Sequence, residues 1–142
     1  MIRKLQQADL DRVMEIWLNS NKDAHSFISE EYWQSHYNEV RQQLLQAEVF
    51  VDEQNAEIRS FIGLVDNYIA GFFVDKDYRS FGVGHYLIKY VKQRHNELIL
   101  NVYQKNFRAV NFYKRENFTV VSEQKDAETD EIEFLMSWKK PN

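Results

Sequence analysis

The stretch over residues 69–91, IAGFFVDKDYRSFGVGHYLIKYV, constrains the fold of this chain more than any other. Residues 69–74 form a nearly continuous apolar run, the pattern of a strand buried on both faces. Asp75 and Asp77 end it, and Arg79, Gly82 and Gly84 follow with the spacing Arg-x-x-Gly-x-Gly. Leu87, Ile88 and Val91 then recur at helical spacing. A strand therefore passes through a glycine-containing turn straight into a helix. The first N–H groups of a helix have no partner within it, and the macrodipole adds partial positive charge there, so such a junction suits a phosphate. Glycine lets backbone close in on that ligand. The pattern is not the dinucleotide fingerprint, which needs a third glycine, nor the triphosphate loop, which needs a Gly-Lys pair.

The rest of the chain supplies strands to flank this unit. Residues 2–5 read as a first strand, and Asp9 is placed to cap a helix whose apolar stripe is Leu10, Val13, Met14 and Trp17. Residues 19–27, NSNKDAHSF, read as a polar loop. Ser29 can cap the next helix, which carries Tyr32, Trp33, Tyr37, Val40 and Leu44 along one side. Residues 48–52, 58–65 and 68–74 predict an antiparallel meander turning at Gln54-Asn55 and Asp66-Asn67. Residues 98–103 follow the glycine-turn helix, and strand, helix, strand implies a right-handed crossover and a parallel pair. Strands over 118–122 and 132–138, separated by an acidic solvated loop at 125–131, bring the expected total to about seven. The reading is an α/β chain with a mixed, mainly antiparallel sheet. With one proline, four glycines and no internal repeat, nothing divides it, so a single domain over residues 1–142 is expected.

Charge and composition narrow the partners. A net charge of −4 with no basic run beyond Lys139 and Lys140 argues against a nucleic-acid binder, which must neutralise phosphates, and is compatible with a basic peptide or amine. The chain has no cysteine, which excludes disulfides, thiolate metal ligands and a thiol nucleophile. No apolar run approaches the ~18 residues of a membrane span, and the start MIRKLQQADL lacks the apolar core of a signal peptide, so no membrane partner and a cytoplasmic location are expected.

Asp75-x-Asp77-Tyr78 followed by Arg79-x-x-Gly82-x-Gly84 resembles the acetyl-coenzyme A pyrophosphate loop of the GCN5-related N-acetyltransferases. A second match, Asn106-x-x-Ala109-x-x-Phe112-Tyr113 with Asn117-Phe118 behind it, resembles that family's Asn-x-x-Ala-x-x-Phe/Leu-Tyr and Gly-Phe pair. Together they cover the C-terminal half, and the N-terminal half resembles a small bacterial subgroup linked to protein lysine acetylation. The resemblance implies helices on both faces of the sheet and two parallel strands that splay so that pantetheine lies between them, bonded by backbone of Phe72, Phe73 and Val74. It further implies that amides of Ser80, Phe81, Gly82, Val83, Gly84 and His85 hold the pyrophosphate beside Arg79. Tyr113 would protonate the departing thiolate, and Asn106 would cap its helix and touch the cofactor. The first two helices and their loop would wall the acceptor, with Phe27, Tyr32, Tyr37 and Tyr103 as candidate contacts. Acetyl-coenzyme A is thus the implied co-substrate, with no metal, acting on a protein or small-molecule amine, in a monomer or homodimer.

Four positions depart from the family pattern. Lys76 replaces a common proline, Ser80 and Asn117 replace common glycines, and none of these removes a reacting group; asparagine is the next best residue for a left-handed helix terminus. Asn101 is different, since many relatives carry glutamate there as the base, and asparagine cannot be one. His25 is the substitute the sequence offers. The missing base leaves two expectations: direct acetyl transfer to a primary amine, or a coenzyme A-binding sensor without turnover, against which retention of Tyr113 weighs.

Overall fold

The computed structural model describes residues 1–79 and 82–142. Strand β1 (Ile2–Lys4) precedes helices α1 (Leu10–Ala24), α2 (Glu30–Ser35) and α3 (Tyr37–Gln46), then a meander of β2 (Glu48–Gln54), β3 (Glu57–Val65) and β4 (Tyr68–Val74). Helix α4 (Val83–Lys92) crosses to β5 (Glu97–Tyr103), and α5 (Phe107–Arg115) leads to a hairpin of β6 (Thr119–Lys125) and β7 (Ile132–Lys139). Among the described residues these seven strands form one sheet in the order β1-β2-β3-β4-β5-β7-β6, parallel at β4–β5 and antiparallel at the other pairings.

The strand period of two sorts the core onto both faces of this sheet. Val49, Val51 and Phe61 point to α1–α3, where Val13, Met14, Trp17, Trp33 and Leu44 meet them. Phe50, Ile62, Leu98, Leu100 and Met136 point the other way, to Leu87, Ile88 and Val91 of α4 and Val110 of α5. Fully burying a side chain such as Ile62 or Met136 stabilises by ~1.5–3 kcal/mol. Helices therefore cover both faces, as expected.

Local chemistry moves several predicted boundaries. Asp9 does not cap α1 with its side chain; its carboxylate turns back to accept from the Gln6 amide at 2.8 Å and from Arg3 at 2.7 and 3.0 Å. The expected loop from residue 19 is helix through Ala24, because the polar Asn21 is satisfied inside it, donating from Nδ2 to the Trp17 carbonyl at 2.9 Å. Ser29 does cap the next helix, accepting from the Tyr32 amide. That helix is broken in two at His36, where the Ser35 hydroxyl takes the Tyr32 carbonyl at 2.8 Å and competes with the ladder. The break lets Trp33 and Tyr37 both pack edge-on to Trp17. The first hairpin turns on Asn55 and Ala56, φ 54° and 62°, one residue later than predicted, and Asp66 at φ 55° makes the second.

Two irregularities shape the centre. The β3–β4 register steps from Gly63↔Gly71 to Leu64↔Ile69, so Ala70 is a bulge. The parallel β4–β5 pairing holds at Tyr68↔Ile99 and Ile69↔Leu100, and beyond it the strands part. Among the described residues, the edge of β4 past Ile69 is thus left without a ladder partner on the β5 side.

Candidate active site

The parting strands open a cleft of ≈ 1060 Å³ that runs from the N-terminus of α4, between β4 and β5, to the end of α1 and the β5–β7 face. Arg79, Gly82, Val83, Gly84, His85, Phe72, Phe73, Val74, Asn106 and Tyr113 all line it, as do His25, Tyr32, Asn101 and Tyr103. Ser80 and Phe81 lie outside the described residues.

At the α4 end the chain enters the helix through Gly82, whose φ of +76° favours glycine. The Tyr86 amide bonds to the Gly82 carbonyl at 3.0 Å, and among the described residues the amides of Val83, Gly84 and His85, in the first turn of α4, have no carbonyl partner. A Cβ on Gly82 would meet nothing within 4 Å, whereas one on Gly84 would stand 3.2 Å from the Phe112 ring and 3.6 Å from Val74. Gly82 therefore faces open space, and Gly84 also has a packing reason to be small, since α4 lies close on Phe112 of α5 there. The Arg79 guanidinium holds Asp23 of α1 at 2.8 Å and keeps that carboxyl below its ordinary range. His85 Nδ1 lies 2.8 Å from Glu116.

Tyr113 stands mid-cleft, ring-packed by Phe72, Phe112 and Phe118 at centroid distances of 6.2, 5.5 and 5.5 Å. Burial pushes its phenol well above the ordinary tyrosine range, so it stays protonated throughout neutral pH, and among the described residues its hydroxyl has no hydrogen-bond partner. Its helix begins at Asn106, whose Oδ1 accepts from the Ala109 amide at 3.3 Å. That bond fixes Nδ2 toward His25 Nε2, 3.2 Å away. Asn117, at φ 71°, ends the same helix in the left-handed conformation expected of it.

His25 is not the loop histidine the sequence suggests. It is the C-cap of α1, buried, stacked on Trp33 at 5.2 Å and edge-on to Phe27 and Tyr103. Burial pushes it down to about 4, and its Nε2 lone pair accepts from Asn106. It is a neutral strut between α1 and the cap of the Tyr113 helix, without a lone pair to offer a substrate. Asn101 is exposed and donates to the Tyr68 hydroxyl at 2.9 Å.

The far end of the cleft is aromatic and acidic. Tyr103 donates to Asp126 Oδ2 at 2.7 Å, and burial, then this bond, pushes its phenol far up. Tyr32 lines the cleft, Phe27 backs Tyr103 edge-on at 5.8 Å, and Tyr37 packs on Trp17 away from it. Sequence reasoning missed Asp23, Tyr68 and Glu133, all cleft residues. For Glu133 a signal was present: it alternates with the apolar residues of the last strand, out of phase with Phe134 and Met136.

A seven-stranded sheet that splays at a parallel pair, with helix amides at one end of the gap and a protonated phenol inside it, defines an acyl-transfer scaffold. The family described as "Acetyltransferase (GNAT) domain" matches residues 7–138, and this chain belongs to that family of acetyltransferases. It is 36% identical over 140 residues, 97% of this chain and 96% of the relative, to the peptidyl-lysine N-acetyltransferase YiaC of Escherichia coli K12. It is 31% identical over 121 residues, 84% of this chain and 82% of the relative, to the peptidyl-lysine N-acetyltransferase YjaB of the same strain. The solution structure of apo YjaB from Escherichia coli superposes with a TM-score of 0.86 at 27% identity, covering 96% of this chain and 95% of that one. Among the described residues no helix is long and apolar enough to cross a membrane.

Proposed function

We propose that this chain moves acetyl from acetyl-coenzyme A to the side-chain amine of lysine in proteins, in one step with both substrates bound, in the cytoplasm where that thioester is available. The observation that carries the proposal is the single cleft joining the α4 amides, the free edge of β4 and Tyr113 to an acidic aromatic end. The residues present fit the co-substrate. Gly82 leaves space where a pyrophosphate would meet the Val83–His85 amides, and the unpaired β4 edge at Phe72–Val74 can bond an extended amide chain.

The thioester supplies an acyl carbon open to attack and a thiolate leaving group. A backbone N–H on the β4 edge would support the developing oxyanion. Tyr113 would give its proton to the sulfur: burial keeps the phenol in its neutral, proton-bearing form, and desolvation of the departing thiolate raises its basicity toward that of the phenol. Asn106 and His25 would keep that helix in place. With Asn101 tied to Tyr68 and His25 occupied, the amine's proton would leave through water in the open end of the cleft. Incubation with acetyl-coenzyme A and a panel of lysine peptides and small amines, read by mass spectrometry and thiol release, tests this. Acetylated lysine is the expected product; tight coenzyme A binding without product would favour the sensor.

A further inference from the structure

Three carboxylates line the cleft among the described residues, and two are matched with cations. Asp23 holds Arg79 at 2.8 Å, and Glu116 sits 2.8 Å from His85 and 3.7 Å from Lys92. The third, Glu133 on β7, has no ion-pair partner among the described residues; it accepts an amide N–H from Gln124 at 2.9 Å, which orients the carboxylate without neutralising it. Of the other cations lining the cleft, Lys105 is taken by Glu131 at 3.0 Å, and among the described residues Arg108 and Arg115 of α5 form no ion pair with Glu133.

Register places this free charge at the acceptor end. Glu133 pairs directly with Tyr103, and Asn101 pairs with Leu135, so Glu133, Tyr103 and Asn101 share one face of the sheet. Tyr32 and Tyr103 line the same cleft, and Glu133 is near enough to Tyr32 to act on its phenol. Aromatic rings around an uncompensated carboxylate attract a cation both by charge and through the ring quadrupole.

We propose that Glu133 receives the ammonium of the acceptor, selecting an amine that arrives charged on a flexible chain, as lysine does, over neutral or aryl amines. The proposal rests on the acetyltransferase reading and names the acceptor-recognising residue within it. An anchor is the role its geometry supports, since Gln124 holds the carboxylate through Oε1 and orients it to receive a cation. Ammonium binding is made before the transition state, so its loss appears in KM for the acceptor.

The test compares wild type with Glu133→Gln, which keeps shape and an acceptor for Gln124, and Glu123→Gln, which removes the same charge from the neighbouring strand at the position opposite Phe134. Steady-state kinetics use a lysine peptide and acetyl-coenzyme A at several salt concentrations. Glu133→Gln should raise the peptide KM about tenfold and flatten its salt dependence, with kcat and the acetyl-coenzyme A KM within about twofold, as loss of a charge-assisted hydrogen bond requires. Glu123→Gln should track wild type. Equal effects in both variants, an unchanged peptide KM in Glu133→Gln, or a fall in kcat with an altered pH profile would each overturn the anchor. A wild type that acetylates no lysine peptide would instead sink the acetyltransferase reading, and the anchor with it.

Discussion

Replacing His25 with glutamine tests whether this histidine is a buried neutral strut or a titrating base. In the folded chain burial pushes it from 6.5 down to about 4. The unfolded chain takes up a proton as pH falls through about 6.5, while the folded chain resists until about 4, so stability is lost across that window as pH falls. At about 1.36 kcal/mol per pH unit of separation the full loss is roughly 3 kcal/mol, of which roughly 2 kcal/mol falls between about pH 7.5 and 5. Glutamine keeps an acceptor for Asn106 Nδ2 and removes the titration. Urea unfolding of both proteins at those two pH values should show wild type losing about 2 kcal/mol more than His25→Gln, other groups cancelling in the comparison. Equal losses would refute the buried neutral imidazole. The same reasoning predicts a wild-type kcat/KM that climbs with pH as lysine, near 10.4, loses its proton, without an inflection at about 6 to 7.

The two glycines at the α4 end of the cleft should fail differently. Gly82→Ala forces a side chain into the left-handed region at ~1–2 kcal/mol and points it into open space, so calorimetry should find weakened coenzyme A binding beyond any stability loss. Gly84→Val drives into Phe112 and should cost ~1–3 kcal/mol of stability, read as a lower melting temperature. Ala56, held at φ 62° in the first hairpin, is strained without a functional reason; Ala56→Gly should raise stability by about 1 kcal/mol in chemical denaturation.

The parts of this fold that follow local rules were legible. The meander, the crossover, the Ser29 and Asn106 caps and the left-handed Asn117 each rest on residues close in sequence, and each is found where the pattern puts it. What depended on partners distant in sequence was not. Gly84 reads as a ligand glycine, and only the tertiary fold adds that Phe112 of α5 packs against it. His25 looks like a solvated base because NSNKDAHSF is polar; only the tertiary fold, by setting Trp33, Tyr103 and Asn106 around it, makes it buried and neutral. The acceptor end was the least legible, since Glu133 gains meaning only from which other cleft carboxylates are already paired.

The most direct measurement of the central claim is the acetylation rate of a lysine peptide by wild type and Tyr113→Phe, followed by mass spectrometry with coenzyme A affinity measured in parallel. The hydroxyl has no hydrogen-bond partner among the described residues, so its removal should leave stability and cofactor affinity nearly unchanged. As the proton donor to the thiolate, its loss should lower kcat by ~10²–10⁴. Acetylated lysine from wild type together with that drop is the predicted result; wild-type turnover in Tyr113→Phe would contradict it and leave Tyr113 a packing residue.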